Sequence, residues 1–136
     1  MAPEYILEWF AYADMDLLSA QRNTVFHPVH KQLICFFCQQ SAEKNLKGFL
    51  MHCGVEDPPR THDLGRLCKL CIAHDERFLE IERICSVLAV YGVQPRYPSE
   101  IDVTENDMKN ALMYAKRITE FEPLLTARKS LELSAT

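Results

Sequence analysis

Two cysteine pairs carry metal-ligand spacing, Cys35-x-x-Cys38 and Cys68-x-x-Cys71. Four thiolates spaced this way can hold a tetrahedral zinc ion. Structural zinc pairs sit on turns, where two thiolates converge. Here Ile34, Phe36 and Phe37 surround the first pair in a segment that reads as unbroken helix. Cysteine is also among the residues most often fully buried. The pattern therefore predicts packed thiols, with the four-cysteine zinc site as the alternative. The five histidines show no His-Glu-x-x-His or comparable helical spacing, so a catalytic metalloenzyme has no skeleton. A chain with four glycines also lacks a Gly-rich phosphate loop, and there is no nucleophile elbow.

Three other places carry groups suited to an anionic ligand. The segment GVQPRYPSE, residues 92–100, holds Arg96-Tyr97 between two prolines. A guanidinium binds phosphate in bidentate fashion, and a tyrosine offers a ring and a hydroxyl. The competing reading is a loop pinned by Tyr97, with Arg96 paired to a carboxylate such as Asp14 or Asp16. His62 follows Arg60 and precedes a helix start, where free N–H groups favour anions; it serves equally as a capping or packing residue. The run from Gln39 to Lys47 puts Gln40, Lys44 and Lys47 on one flank of a helix, with Glu43 adjacent. That flank suits a solvated face, interhelical pairing or a groove contact to a nucleotide or RNA.

These groups must be positioned by helices. Residues 4–22 carry Ile6, Trp9, Phe10, Ala13, Leu17 and Ala20 at spacings of three and four, and Pro3 suits a first turn. A second helix is expected from about His30 to Cys53, stopped by Gly54. A short third helix follows from about Asp63 to Ala73, capped by Thr61 or Asp63. A fourth spans about Glu76 to Val90. The fifth opens at Thr104, whose spacing to Asp107 approximates a capping box, and runs to about Phe121, limited by Pro123. Period-two alternation and internal repeats are both lacking. The expectation is an all-α antiparallel bundle of four main helices plus a short additional one. The domain spans 1–125, and residues 126–136 form a frayed tail.

Bulk properties bound the function. A chain of 136 residues builds one domain, and 48% apolar with 25% charged residues is the usage of a folded globular protein. A formal charge of −4 disfavours a global field for nucleic acid or anionic membranes. No run approaches the roughly 18 apolar residues of a membrane span, and MAPEYILEWF lacks a signal-peptide pattern. A cytoplasmic setting with reduced cysteines is expected, with no membrane partner.

Four pieces in order, AYADMDLLSAQ, CFFCQQSAEKNLKGFL, PPRTHDLGRL and YGVQPRYPSE followed by ENDMKNALMYAKRI, resemble the HEPN domain family (higher eukaryotes and prokaryotes nucleotide-binding) in its small stand-alone prokaryotic form. The resemblance covers roughly residues 5–122. It implies a bundle of four or five helices, usually a homodimer, often acting beside a minimal nucleotidyltransferase. Some members are metal-independent ribonucleases of toxin–antitoxin systems. The residues at the family's characteristic positions are Asp16, Gln40, Glu43, Lys44, Lys47, His62, Asp63, Arg96, Tyr97 and Pro98.

Ribonuclease members carry an Arg followed a few residues later by a His near the start of the final helix. Nothing after Arg96 meets that pattern; Arg22 and His27 match the spacing but not the place. Without a placed imidazole the 2′-hydroxyl lacks its base. The first expectation is accordingly a non-catalytic nucleotide-binding module, partner of a nucleotidyltransferase, needing no cofactor. Arg96, Tyr97, Lys44, Lys47, His62 and Gln40 are its candidate ligand contacts. A divergent ribonuclease using Arg22 and His27, and a purely structural dimerisation or interaction protein, are the alternatives.

Overall fold

The computed structural model describes residues 1–93 and 102–136. Helix α1, Pro3–Arg22, opens on a proline that gives up no hydrogen bond in the first turn, with Glu4 favourably placed at the positive end. Its expected stripe points inward: Ile6, Phe10, Ala13, Leu17 and Ala20 are buried, and Trp9 is partly covered. A 3-10 turn, Asn23–Val25, ends the helix, and the Asn23 amide donates to the Ser19 carbonyl.

Helix α2, Lys31–His52, is the axis of the bundle. It packs against α1, α3 (Leu64–His74), α4 (Glu82–Ala89), α5 (Glu105–Thr119) and α6 (Glu122–Ala135). A helix with neighbours on most sides needs no single apolar stripe. Accordingly Gln39, Ser41, Glu43, Asn45 and Lys47 are buried beside Ile34, Cys38, Leu46 and Leu50. Contacts fix α1 and α2 as antiparallel: Phe10 lies at Gly48 while the later Asp16 pairs with the earlier Lys44. A Cβ at Gly48 would come 2.9 Å from the Phe10 ring, so glycine sets how closely the two helices approach. Gly54, with φ +96°, stops α2 as expected; the Val55 amide returns to the Leu50 carbonyl at 3.0 Å.

Asp63 caps α3, its Oδ1 accepting from the Gly65 and Arg66 amides at 3.0 and 3.3 Å. Thr61 instead accepts from the Asp63 amide. The capping box at α5 is complete, with Thr104 and Asp107 exchanging two 3.0 Å bonds.

Two expectations need correction. The fourth helix is not continuous: a 3-10 helix, Glu76–Ile81, precedes α4. Buried Phe78 and Ile81 are spaced by three, which suits three residues per turn, and Asp75 holds the start by accepting from the Arg77 amide. The region expected to fray is helical, since α6 runs from Glu122 to Ala135 and buries Leu124, Ala127 and Leu131. Pro123 starts this helix instead of merely limiting α5. The bundle thus has six α-helices and no strand among the described residues, not four main helices plus a short one. Phe78 joins the last turns of α2 to the start of α6, its ring lying 4.5 Å from Phe49 and 5.2 Å from Phe121 between centroids. No described helix is long and apolar enough to cross a membrane.

Candidate functional site on helix α2

Successive turns of α2 present Gln39, Gln40, Glu43, Lys44 and Lys47, and the loop before α3 brings His62 against them. Glu43 is the hub. Its side chain is 7% exposed and accepts from Gln39 Nε2 at 3.2 Å and Lys47 Nζ at 3.1 Å, and meets His62 Nδ1 at 2.8 Å. A carboxylate taken from water needs such a set of partners. Gln39, itself fully buried, also donates to the His62 carbonyl at 3.0 Å, and its oxygen accepts from Gln40 Nε2 at 2.7 Å. Both the ring and the backbone of His62 are therefore held.

The His62 side chain is 68% exposed although its Nδ1 reaches a buried carboxylate. The Nδ1 contact holds the ring by one nitrogen, and the other, Nε2, makes no hydrogen bond among the described residues. A Cβ on Gly92 would lie 3.2 Å from His62 Cβ and 3.4 Å from the His62 carbonyl oxygen, so a glycine lets the chain leaving α4 pass close to the backbone of His62.

Around this hub the charges are matched. Lys44 forms an ion pair with Asp16 of α1. Arg128 of α6 makes a bidentate pair with Asp14 at 2.7 and 2.9 Å, donates to Asn45 of α2 at 2.9 Å, and lies 4.8 Å over the Phe10 ring. Of the expected ligand contacts, Gln40, Lys47 and His62 meet in one network, and Lys44 sits on the adjoining turn. Asp63 is spent on its cap. Arg96, Tyr97 and Pro98 lie outside the described residues. Arg22 and His27 are both exposed, and among the described residues no hydrogen bond or ion pair ties either to the network. Sequence reasoning places Gln39 in the polar run without making it a candidate contact, and it misses Asn45 and Arg128. The i,i+4 spacing of Gln39 to Glu43 was a usable signal, whereas Arg128 had none, its partner Asp14 being 114 positions away.

The two cysteine pairs pack separately. Cys68 and Cys71 place their sulfurs 3.6 and 3.7 Å from the carbonyls of Phe78 and Leu46, and the Cys35 thiol meets the Tyr91 hydroxyl. Burial pushes the Cys35 thiol up to about 12 and raises Cys38 and Cys71 as well; Tyr91 is pushed up to about 12, again chiefly by burial. Among the described residues no group of three or more His, Cys, Asp or Glu is placed to hold a metal.

Two shallow grooves flank the hub. One is lined by Tyr5, Glu8, Trp9, Tyr12 and Lys44 along α1 and α2. The other lies between α3 and α4, with Arg66, Lys69 and Arg83 on its rim. Comparison with curated proteins and with solved structures returned no match. The family model for the HEPN domain matches residues 6–125, which takes in α1 to α5, the hub on α2 and the start of α6. Helical architecture and sequence profile agree over most of the chain, and the protein belongs to the HEPN domain family.

Proposed function

We propose that this HEPN domain is an interaction module that pairs with a second copy of itself through α1. One observation carries the reading. Beside its buried stripe, helix α1 exposes Tyr5, Tyr12 and Met15, which are 48%, 59% and 60% exposed, with the half-buried Trp9 at the inner edge of this row. These large side chains recur along one side of the helix, with Glu8 and Lys44 between them, and aromatics and methionine are the residues enriched at protein interfaces. A self-complementary helix face is the simplest way to close a two-fold dimer. Meanwhile the polar residues of α2 serve one another, which suits a scaffold. Sedimentation equilibrium tests this: the wild type is expected at twice the chain mass, and Tyr12→Glu with Met15→Glu at the monomer mass with an unchanged melting curve. A wild type that stays monomeric at high concentration overturns it.

A second reading, metal-independent RNA cleavage, is favoured by the Glu43–His62 pair. A buried carboxylate that orients an exposed imidazole is the arrangement of a general base. His62 Nε2 would take the 2′-hydroxyl proton as that oxygen bonds to phosphorus. The bond to the 5′ oxygen would break, with water returning a proton to it. Cleavage in the presence of a metal chelator, leaving a 2′,3′-cyclic phosphate and lost in His62→Ala, supports this reading; intact RNA after prolonged incubation removes it. The third reading, nucleotide binding beside a minimal nucleotidyltransferase, draws less support from the geometry. Lys44 and Lys47 are held by Asp16 and Glu43, so a phosphate would have to displace a carboxylate to reach either ammonium. A nucleoside triphosphate that raises the melting temperature of wild type but not of Arg96→Ala would restore it.

A further inference from the structure

Most cations that the fold draws inward are neutralised there, but one group on the surface is not. Arg66 and Lys69 stand one turn apart on α3, and Arg83 faces them from α4 across a groove. All three are exposed, and none forms an ion pair among the described residues. Small residues let the two helices approach: a Cβ on Gly65 would lie 3.2 Å from Asp63 Oδ1 and 4.0 Å from Ser86 Oγ of α4. The groove is therefore a surface furrow between two closely packed helices, with the long charged side chains as its walls.

The groove is not uniformly basic. Asp63 lines it, with Oδ1 already accepting from two backbone amides, and so does Glu82. A nucleic-acid backbone, charged at every phosphate, would set phosphates against these two carboxylates on a chain whose net charge is −4. A polypeptide differs in the relevant respect. Its carboxylates can be spaced to meet the three cations, while its backbone N–H groups remain free to donate to Glu82. We propose that the α3–α4 groove docks an acidic segment of a partner protein, with Arg66, Lys69 and Arg83 as its charge contacts. This site is separate from the α1 face and stands whether or not the chain dimerises.

The test is fluorescence anisotropy of the full chain with three labelled probes: a short Glu-rich peptide, a Gly/Ser peptide of equal length, and a single-stranded RNA of similar length. The Glu-rich peptide should bind more tightly than both others, and binding should weaken with added salt. Arg66→Glu with Arg83→Glu should weaken it by at least about tenfold, as like charges meet across the contact, with circular dichroism unchanged. Arg66→Gln with Arg83→Gln provides a milder variant should charge reversal disturb the fold, and is expected to fall between the two. Equal binding of the acidic and neutral peptides overturns the proposal. So does retained peptide affinity in both variants. Tighter binding of the RNA, lost in the same variants, reassigns the groove to nucleic acid and also overturns it.

Discussion

Lys47 and Lys69 are both lysines inside helices, with aliphatic residues nearby in sequence. Lys47 is 9% exposed and held by Glu43, which also meets the His62 ring; Lys69 is exposed on the rim of a groove, without an ion pair among the described residues. The same contrast separates Arg128, locked between Asp14, Asn45 and the Phe10 ring, from Arg66 and Arg83. Residue type did not set these fates. Where a helix is surrounded, a charge persists only if the fold supplies its counter-charge and hydrogen bonds. Where a helix face is open, water supplies both, and the charge stays available to a partner.

Mutations can break that comparison at its strongest point first. Glu43→Ala removes the acceptor shared by Gln39, Lys47 and His62 and leaves a buried ammonium unpaired. The expected loss is about 3–5 kcal/mol in urea-induced unfolding. A loss below about 1 kcal/mol would mean that water reaches Lys47 and that the interior is less closed than described. Arg128→Ala should cost about 1–3 kcal/mol, since a bidentate charged contact and a ring contact go together. Hydrogen exchange should report the loss first in α6, because Arg128 ties that helix to α1 and α2.

Protons offer a finer test. The Cys35 thiol and the Tyr91 hydroxyl are raised in the fold from their ordinary 9.0 and 10.0 to about 12. The folded state therefore keeps these protons longer than the unfolded chain. Their contribution to stability is complete below about pH 9 and declines between about pH 9 and 12. Chemical unfolding across that range should show the decline, and Cys35→Ala should make it shallower; a flat profile would contradict the burial of the pair. The smallest effects belong to the groove. Arg66→Ala, Lys69→Ala and Arg83→Ala should each leave stability within about 0.5 kcal/mol of wild type. A larger loss would show that these cations hold the bundle as Lys47 does.

Much of the fold was legible in the chain because its signals are local. Pro3, Gly54, Asp63 and the Thr104–Asp107 pair mark helix ends through bonds spanning a few residues, and all four marks hold. The end of the chain is not legible for the same reason. Pro123 signals a break, but whether residues beyond it fray depends on burying Leu124, Ala127 and Leu131 against other helices. The site was partly legible. Gln40, Lys44, Lys47 and His62 stood out by type, yet the flank that suggested a ligand turned out to be tied to Glu43 and Asp16. The inward-facing side of α1 is marked by its period, whereas no local signal separates the exposed Tyr5, Tyr12 and Met15 from ordinary surface residues.

By itself, then, the sequence determined that the chain is helical, where most helices begin and end, and which family it belongs to. These follow from propensity, capping chemistry and ordered motifs, none of which needs a distant neighbour. Only the tertiary structure decided which polar residues are interior. Glu43 reaches His62 across 19 positions, Lys44 reaches Asp16 across 28, and Arg128 reaches Asp14 across 114. Helical period tells which residues share a face, but not whether that face meets water or another helix. That second fact separates the cations that hold this bundle together from those left to meet a partner.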